Sequence, residues 1–112
     1  MSDFVNFKIS QKLKEKGFDW ETSDVYERNT IACRYEDYPK PTIYQALKWL
    51  REEKKLYVGV TYSPKIEGSQ DFYYATIQYI GDYKKTIYPD DNYDSWKEAA
   101  LAGIKYVLDN LI

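Results

Sequence analysis

Apolar residues recur along this chain in two rhythms, and the rhythm changes where the elements change. In "VNFKISQKLKEKGFDW" Ile9 and Leu13 lie four apart, and Phe4 or Val5 carries the stripe toward the start. That is the spacing of one helix face, and it predicts a helix from about Ser2 or Asn6 to Lys16. Gly17 stands where a left-handed residue stops a helix, with Phe18 next to pack back on Leu13 or on the stem of Lys14.

Residues 19–29 are acidic and aperiodic, so they read as a loop or an irregular strand. "NTIACRYEDY" reads as a short strand, with Ile31, Cys33 and Tyr35 on one face. The prolines of "YPKP" then interrupt regular structure. Thr42 with Gln45 three residues on forms a capping box. Ile43, Ala46, Leu47 and Leu50 follow at helical spacing, with Trp49 widening the buried arc. This helix should end near Lys54 or Lys55.

From Leu56 the pattern alternates. Leu56, Val58, Val60 and Tyr62 face one way, and Tyr57, Gly59 and Thr61 the other. After the turn region "SPKIEGSQ", Tyr73, Ala75, Ile77 and Tyr79 oppose Phe72, Tyr74, Thr76 and Gln78. Two such runs predict an antiparallel hairpin. A short further strand is expected near 85–88. Ser95 and Glu98 then open the last helix, whose buried stripe is Trp96, Ala100, Ile104, Val107, Leu108 and Leu111, broadened by Ala99 and Ala102. Gly103 lowers helicity there, which marks close backbone packing against the sheet. The expected order is α-β-α-β-β-α, an α+β fold in one domain, residues 1–112. A small antiparallel sheet of three strands, with a fourth near 85–88, packs against the helices near 42–55 and 94–111.

Composition narrows the chemistry. The 112 residues carry thirteen tyrosines and three tryptophans, a net charge of −2 and no histidine. Without imidazole a hydrolytic triad lacks its usual base, and a metal lacks its commonest neutral ligand. Cys33 is the only cysteine, and in an alternating strand Arg34 points away from it. It reads as a small core residue in a reducing compartment. No apolar run is long enough to span a bilayer, and a cytoplasmic setting is expected. Asp82, Asp90, Asp91 and Asp94 are the only dense carboxylates, and their spacing is open to a hard cation. The EF-hand glycine and terminal glutamate are missing, so the expectation is no metal, no cofactor and no enzyme. A metal-dependent enzyme built on that loop is the alternative.

The helix at 42–55 running into a strand has the look of a winged-helix DNA reader, with Gln45, Lys48, Arg51, Glu52 and Lys55 on its outer side. Residues 42–62 hold four basic and two acidic residues. Against DNA, "YEDYPKP" resists the preceding helix that such a motif needs. The last fifty residues carry five lysines against eight carboxylates, while phosphate neutralisation supplies much of DNA affinity. Nucleic-acid binding through the 42–55 helix therefore stands second. The chain carries more large rings than a small core readily hides. Alternation places Tyr57, Phe72 and Tyr74 opposite the core face, so they are the candidate interface residues. The reading preferred here is a non-enzymatic protein–protein interaction or adaptor module, with self-association as a dimer among its forms.

"KLKEKGFDW", "CRYEDY", "PTIYQALKWLREEKKLYVGV" and "EAALAGIKYVLDNLI", in that order from Lys12 to Ile112, resemble a group of small uncharacterised proteins. These are encoded in gut Bacteroidales genomes and in their phages and mobile elements. Pro41-Thr42 with Ala46 and Trp49-Leu50, running into a strand, is the most specific piece. The resemblance implies a bacterial or phage cytoplasmic setting. It assigns no activity, and no residue role comes with it.

Overall fold

The structure, a computed structural model, describes residues 4–22, 25–29, 35–64, 70–89 and 92–112. Helix α1 (Phe7–Glu15) starts at Asn6, whose side-chain oxygen accepts from the amide of Ile9 at 2.9 Å. It ends as its sequence predicts. Gly17 has φ of 97°, the amide of Gly17 donates to Lys14 O, and that of Phe18 donates to Leu13 O. These two bonds are the Schellman pattern, and they satisfy carbonyls that the helix end would leave open. Phe18 is buried, and its ring meets Trp49 edge-on at 5.4 Å.

Two short strands follow, β1 (Val25–Asn29) and β2 (Tyr35–Pro39), paired antiparallel with Val25 opposite Pro39 and Asn29 opposite Tyr35. This ribbon packs on α1 and, among the described residues, belongs to no larger sheet. The buried hydroxyl of Ser10 on α1 donates to the carbonyl of Pro39. The strand expected over Ile31, Cys33 and Tyr35 falls only partly on described residues. Tyr35 opens β2, while residues 30–34, Cys33 among them, lie outside the described residues. Strand β1 falls in the stretch read as a loop or an irregular strand, and "VYERN" has no alternation to decide between the two.

Helix α2 (Ile43–Glu53) carries both halves of its capping box. The amide of Gln45 donates to Thr42 Oγ1 at 3.1 Å, and the amide of Thr42 donates to Gln45 Oε1 at 2.9 Å. Ile43, Ala46, Trp49 and Leu50 are buried. Lys55 then takes a left-handed conformation, φ 58°, which turns the chain from the helix into β3 (Leu56–Ser63). Strands β4 (Phe72–Tyr79) and β5 (Asp82–Ile87) complete an antiparallel sheet in the order β3-β4-β5. The strand expected near 85–88 begins earlier, at Asp82, because Gly81 at φ 93° makes a tight turn out of β4. It is the third strand of the sheet, since β2 pairs with β1 instead.

Helix α3 (Trp96–Asn110) is capped by Ser95, which accepts from the amide of Glu98 at 3.2 Å. It lies on β3 and β4, and α2 lies on β3, both on the same side of the sheet as the core. Leu56, Val58, Ala75 and Ile77 point into that core and Tyr57 and Gln78 point out, as alternation predicts. Gly103 allows α3 to sit close, with Val58 and Ala75 directly beneath it. Val5, Ile9 and Leu13 bring α1 into the same core. At α1's outer side Lys12 and Lys105 both bond the carboxylate of Asp109. The fold is α+β, with a three-stranded antiparallel sheet packed against three helices and a separate β1–β2 ribbon.

Candidate functional site

Strand β3 has β4 on one side, and among the described residues no strand pairs with its other side. The phase of the ladder decides which backbone groups stand at that open edge. Lys55 pairs with Ile80 in register, and the amide of Ile80 donates to the carbonyl of Lys55 at 2.9 Å. In an antiparallel pair, bonded and non-bonded partners alternate. Tyr57, Gly59, Thr61 and Ser63 therefore aim their amides and carbonyls at β4. Tyr73 supplies an independent check. It exchanges both backbone bonds with Tyr93, at 2.8 Å each, on the far side of β4. Its register partner Tyr62 must then face away from β4. The groups of Leu56, Val58, Val60 and Tyr62 thus point to the open edge.

A groove of about 430 Å³ runs along this edge. On one side α2 contributes Tyr44, Leu47, Lys48 and Arg51. These residues are three, four and seven apart, so they form a single stripe beside the buried one. On the other side lie residues 57–60 of β3, with Trp96 of α3 stacked on Tyr44 at 5.3 Å. The Tyr57 ring folds back over its neighbour on the same face. A Cβ added to Gly59 would meet the ring at 3.2 Å, so glycine leaves room for it. Tyr44 is 70% exposed, Tyr57 46% and Tyr62 49%. The Tyr62 hydroxyl donates to Asp71 at 2.9 Å. That bond holds the phenol above its usual pKa, and desolvation and the Asp71 charge add to the effect.

The three candidate interface residues share the outer sheet face but form no single cluster. Phe72 and Tyr74, both half-buried, have ring centroids 6.1 Å apart. Tyr57 pairs with Gln78 and Tyr74 with Thr61. Tyr57 and Thr61 are four residues apart along β3, roughly 13 Å at strand rise. Tyr57 instead borders the edge groove and a second, apolar hollow of about 390 Å³ beside Ile80 and Gly81. Tyr44 had no role in the sequence pattern, and Trp96, expected in the buried stripe of α3, is half-buried and lines the groove. The stripe of Tyr44, Leu47, Lys48 and Arg51 was the available signal, since its apolar half has no place in a solvated face.

The acidic residues do not assemble into a described site. Asp82 lies half-buried in β5 and Asp94 is exposed before the Ser95 cap. Asp90 and Asp91 lie outside the described residues. Among the described residues no three histidine, cysteine, aspartate or glutamate side chains come together as metal ligands. No described helix is long and apolar enough to cross a membrane. Set against known family models, curated proteins and solved structures, the chain matches none.

Proposed function

We propose that this chain is a small, non-enzymatic protein–protein interaction or adaptor module, and that its contact surface is the open edge of β3. One observation carries the reading. The outward backbone groups of Val58 and Val60 lie in a groove rimmed by the exposed rings of Tyr44 and Tyr57. Tyrosine and tryptophan are enriched where proteins meet, and an unpaired edge is a ready template for a further strand. The single cysteine and the resemblance to Bacteroidales and phage proteins support a bacterial or phage cytoplasmic setting.

The test is an unbiased one. Peptides selected from a random display library are added to the ¹⁵N-labelled protein. Selected ligands are expected to shift the amides of residues 56–63 and of α2. Failure to enrich any ligand, or shifts confined to α1 and the β1–β2 ribbon, would remove the reading.

Self-association is the second form of the same reading. It is favoured by the outer sheet face of Tyr57, Phe72 and Tyr74, on which no described helix lies. Sedimentation equilibrium across a wide concentration range separates a dimer from a monomer, and Tyr74→Glu should weaken such a dimer with helicity kept.

A further inference from the structure

We propose that the β3 edge takes an extended acidic segment of another protein as an added strand, with carboxylates at alternate positions meeting Lys48 and Arg51. This rests on the interaction-module reading and names its partner's chemistry. The outward amides and carbonyls of Leu56, Val58, Val60 and Tyr62 alternate as donors and acceptors. Only another backbone in extended form offers the complementary row. The side chains of an added strand then point alternately toward α2 and away from it.

On the α2 side they meet a groove wall with two cations and no carboxylate. Among the described residues neither Lys48 nor Arg51 is held in an ion pair. Their Cβ atoms lie about 5–6 Å apart on one helix face. Alternate residues of a strand recur at roughly 6.8 Å, a mismatch that two long side chains absorb. On the opposite side the added strand passes the Tyr57 ring, which suits an apolar residue.

Charge decides against a second copy of the chain, and the backbone row decides against a nucleic acid. In a two-fold pairing of β3 with a copy of itself, the same patch meets itself, so Lys48 and Arg51 would face their own copies. A nucleic acid would satisfy the cations but has no row of amides and carbonyls for the edge.

The experiment is fluorescence anisotropy with a labelled decapeptide alternating glutamate and valine. Its comparators are the lysine–valine decapeptide, the glutamate peptide N-methylated at every residue so that neither edge keeps its amides, and a uridine decamer. The glutamate peptide is expected to bind and to shift the amides of residues 56–62. N-methylation should abolish binding. Lys48→Glu with Arg51→Glu, whose fold is checked by circular dichroism, should weaken binding about tenfold or more. Equal binding of the lysine peptide at the same amides would overturn the acidic preference and leave the interaction module standing. Equal binding of the N-methylated peptide would overturn strand addition. Tighter binding of the uridine decamer would give the groove to nucleic acid. If no peptide shifts residues 56–62 but library-selected ligands do, this inference fails alone.

Discussion

Gly103 and Val58 are packed so closely that a Cβ on Gly103 would stand 2.7 Å from Val58 Cγ1, with Ala75 Cβ at 3.1 Å. Gly103→Ala sets two effects against each other. Alanine improves helix propensity by about 1 kcal/mol. Overpacking in a filled core costs about 1–3 kcal/mol. Val58 is buried and β-branched, so it has little freedom to turn aside. The clash should win, and urea denaturation should show a net loss of stability. Adding Val58→Ala should recover part of it, with the pair less damaging than the sum of the two changes.

Lys55 holds a conformation that disfavours any side chain, at a cost of about 1–2 kcal/mol for a non-glycine residue. Its ammonium returns something by donating to Glu52 O at 2.9 Å on the surface. Lys55→Gly relieves the strain, loses that exposed bond and loosens the unfolded chain. The net should be a gain below about 1 kcal/mol, read as a higher urea midpoint with unchanged slope. Lys55→Ala should bring no gain, because it keeps the strain and gives up the bond.

Asp109 ties α1 to α3. Hydrogen bonds from Lys12 and Lys105 hold its carboxyl below the usual aspartate value, with burial opposing and the two positive charges helping. Because the folded pKa is depressed, the contribution is complete above the unfolded value near ~4. It is lost as pH falls through the lower folded pKa. Asp109→Asn should therefore flatten the acid limb of a thermal-stability profile. At neutral pH the loss should stay under about 1 kcal/mol, since the site is on the surface, and should shrink in high salt.

The capping box of α2 offers a cleaner measure. Thr42→Ala removes the acceptor for the Gln45 amide and should cost about 1 kcal/mol. Gln45→Ala removes the reciprocal bond to Thr42. The two together should cost less than their sum, because each substitution already breaks the shared motif. Thermal melts of the three variants check this.

How far the sequence carried the fold can be seen in α2. Its stripe of Ile43, Ala46, Leu47 and Leu50, flanked by Trp49, was legible because burial imposes a helical period, and all but the half-buried Leu47 are buried. So were the faces of β3 and β4, where Leu56 and Val58 oppose Tyr57, and the close approach marked by Gly103. Strand β1 was legible only as a loop or an irregular strand, because nothing in "VYERN" repeats. That gap had a consequence for the candidate site. Whether β3 lies at an edge depends on where β2 pairs, and β2 pairs with β1. The position of Tyr57 on the outer face followed from alternation. Its role as one side of a groove depends on α2 packing beside β3, a contact between elements that local pattern does not encode.

The attachments of α1 span long stretches of chain. Lys12 reaches Asp109 across 97 residues, Lys16 reaches Ile112 O across 96, and Ser10 reaches Pro39 across 29. Strands β3, β4 and β5 meet their neighbours after short connections, and α2 and α3 flank them in sequence. Closing a longer loop costs more entropy, and contacts between chain neighbours form sooner. The α2–β3–β4–β5–α3 segment is thus expected to form the scaffold on which α1 docks last. In native-state hydrogen exchange the amides of α1 should open together at a lower free energy than those of β4. The central strand should exchange only with global unfolding.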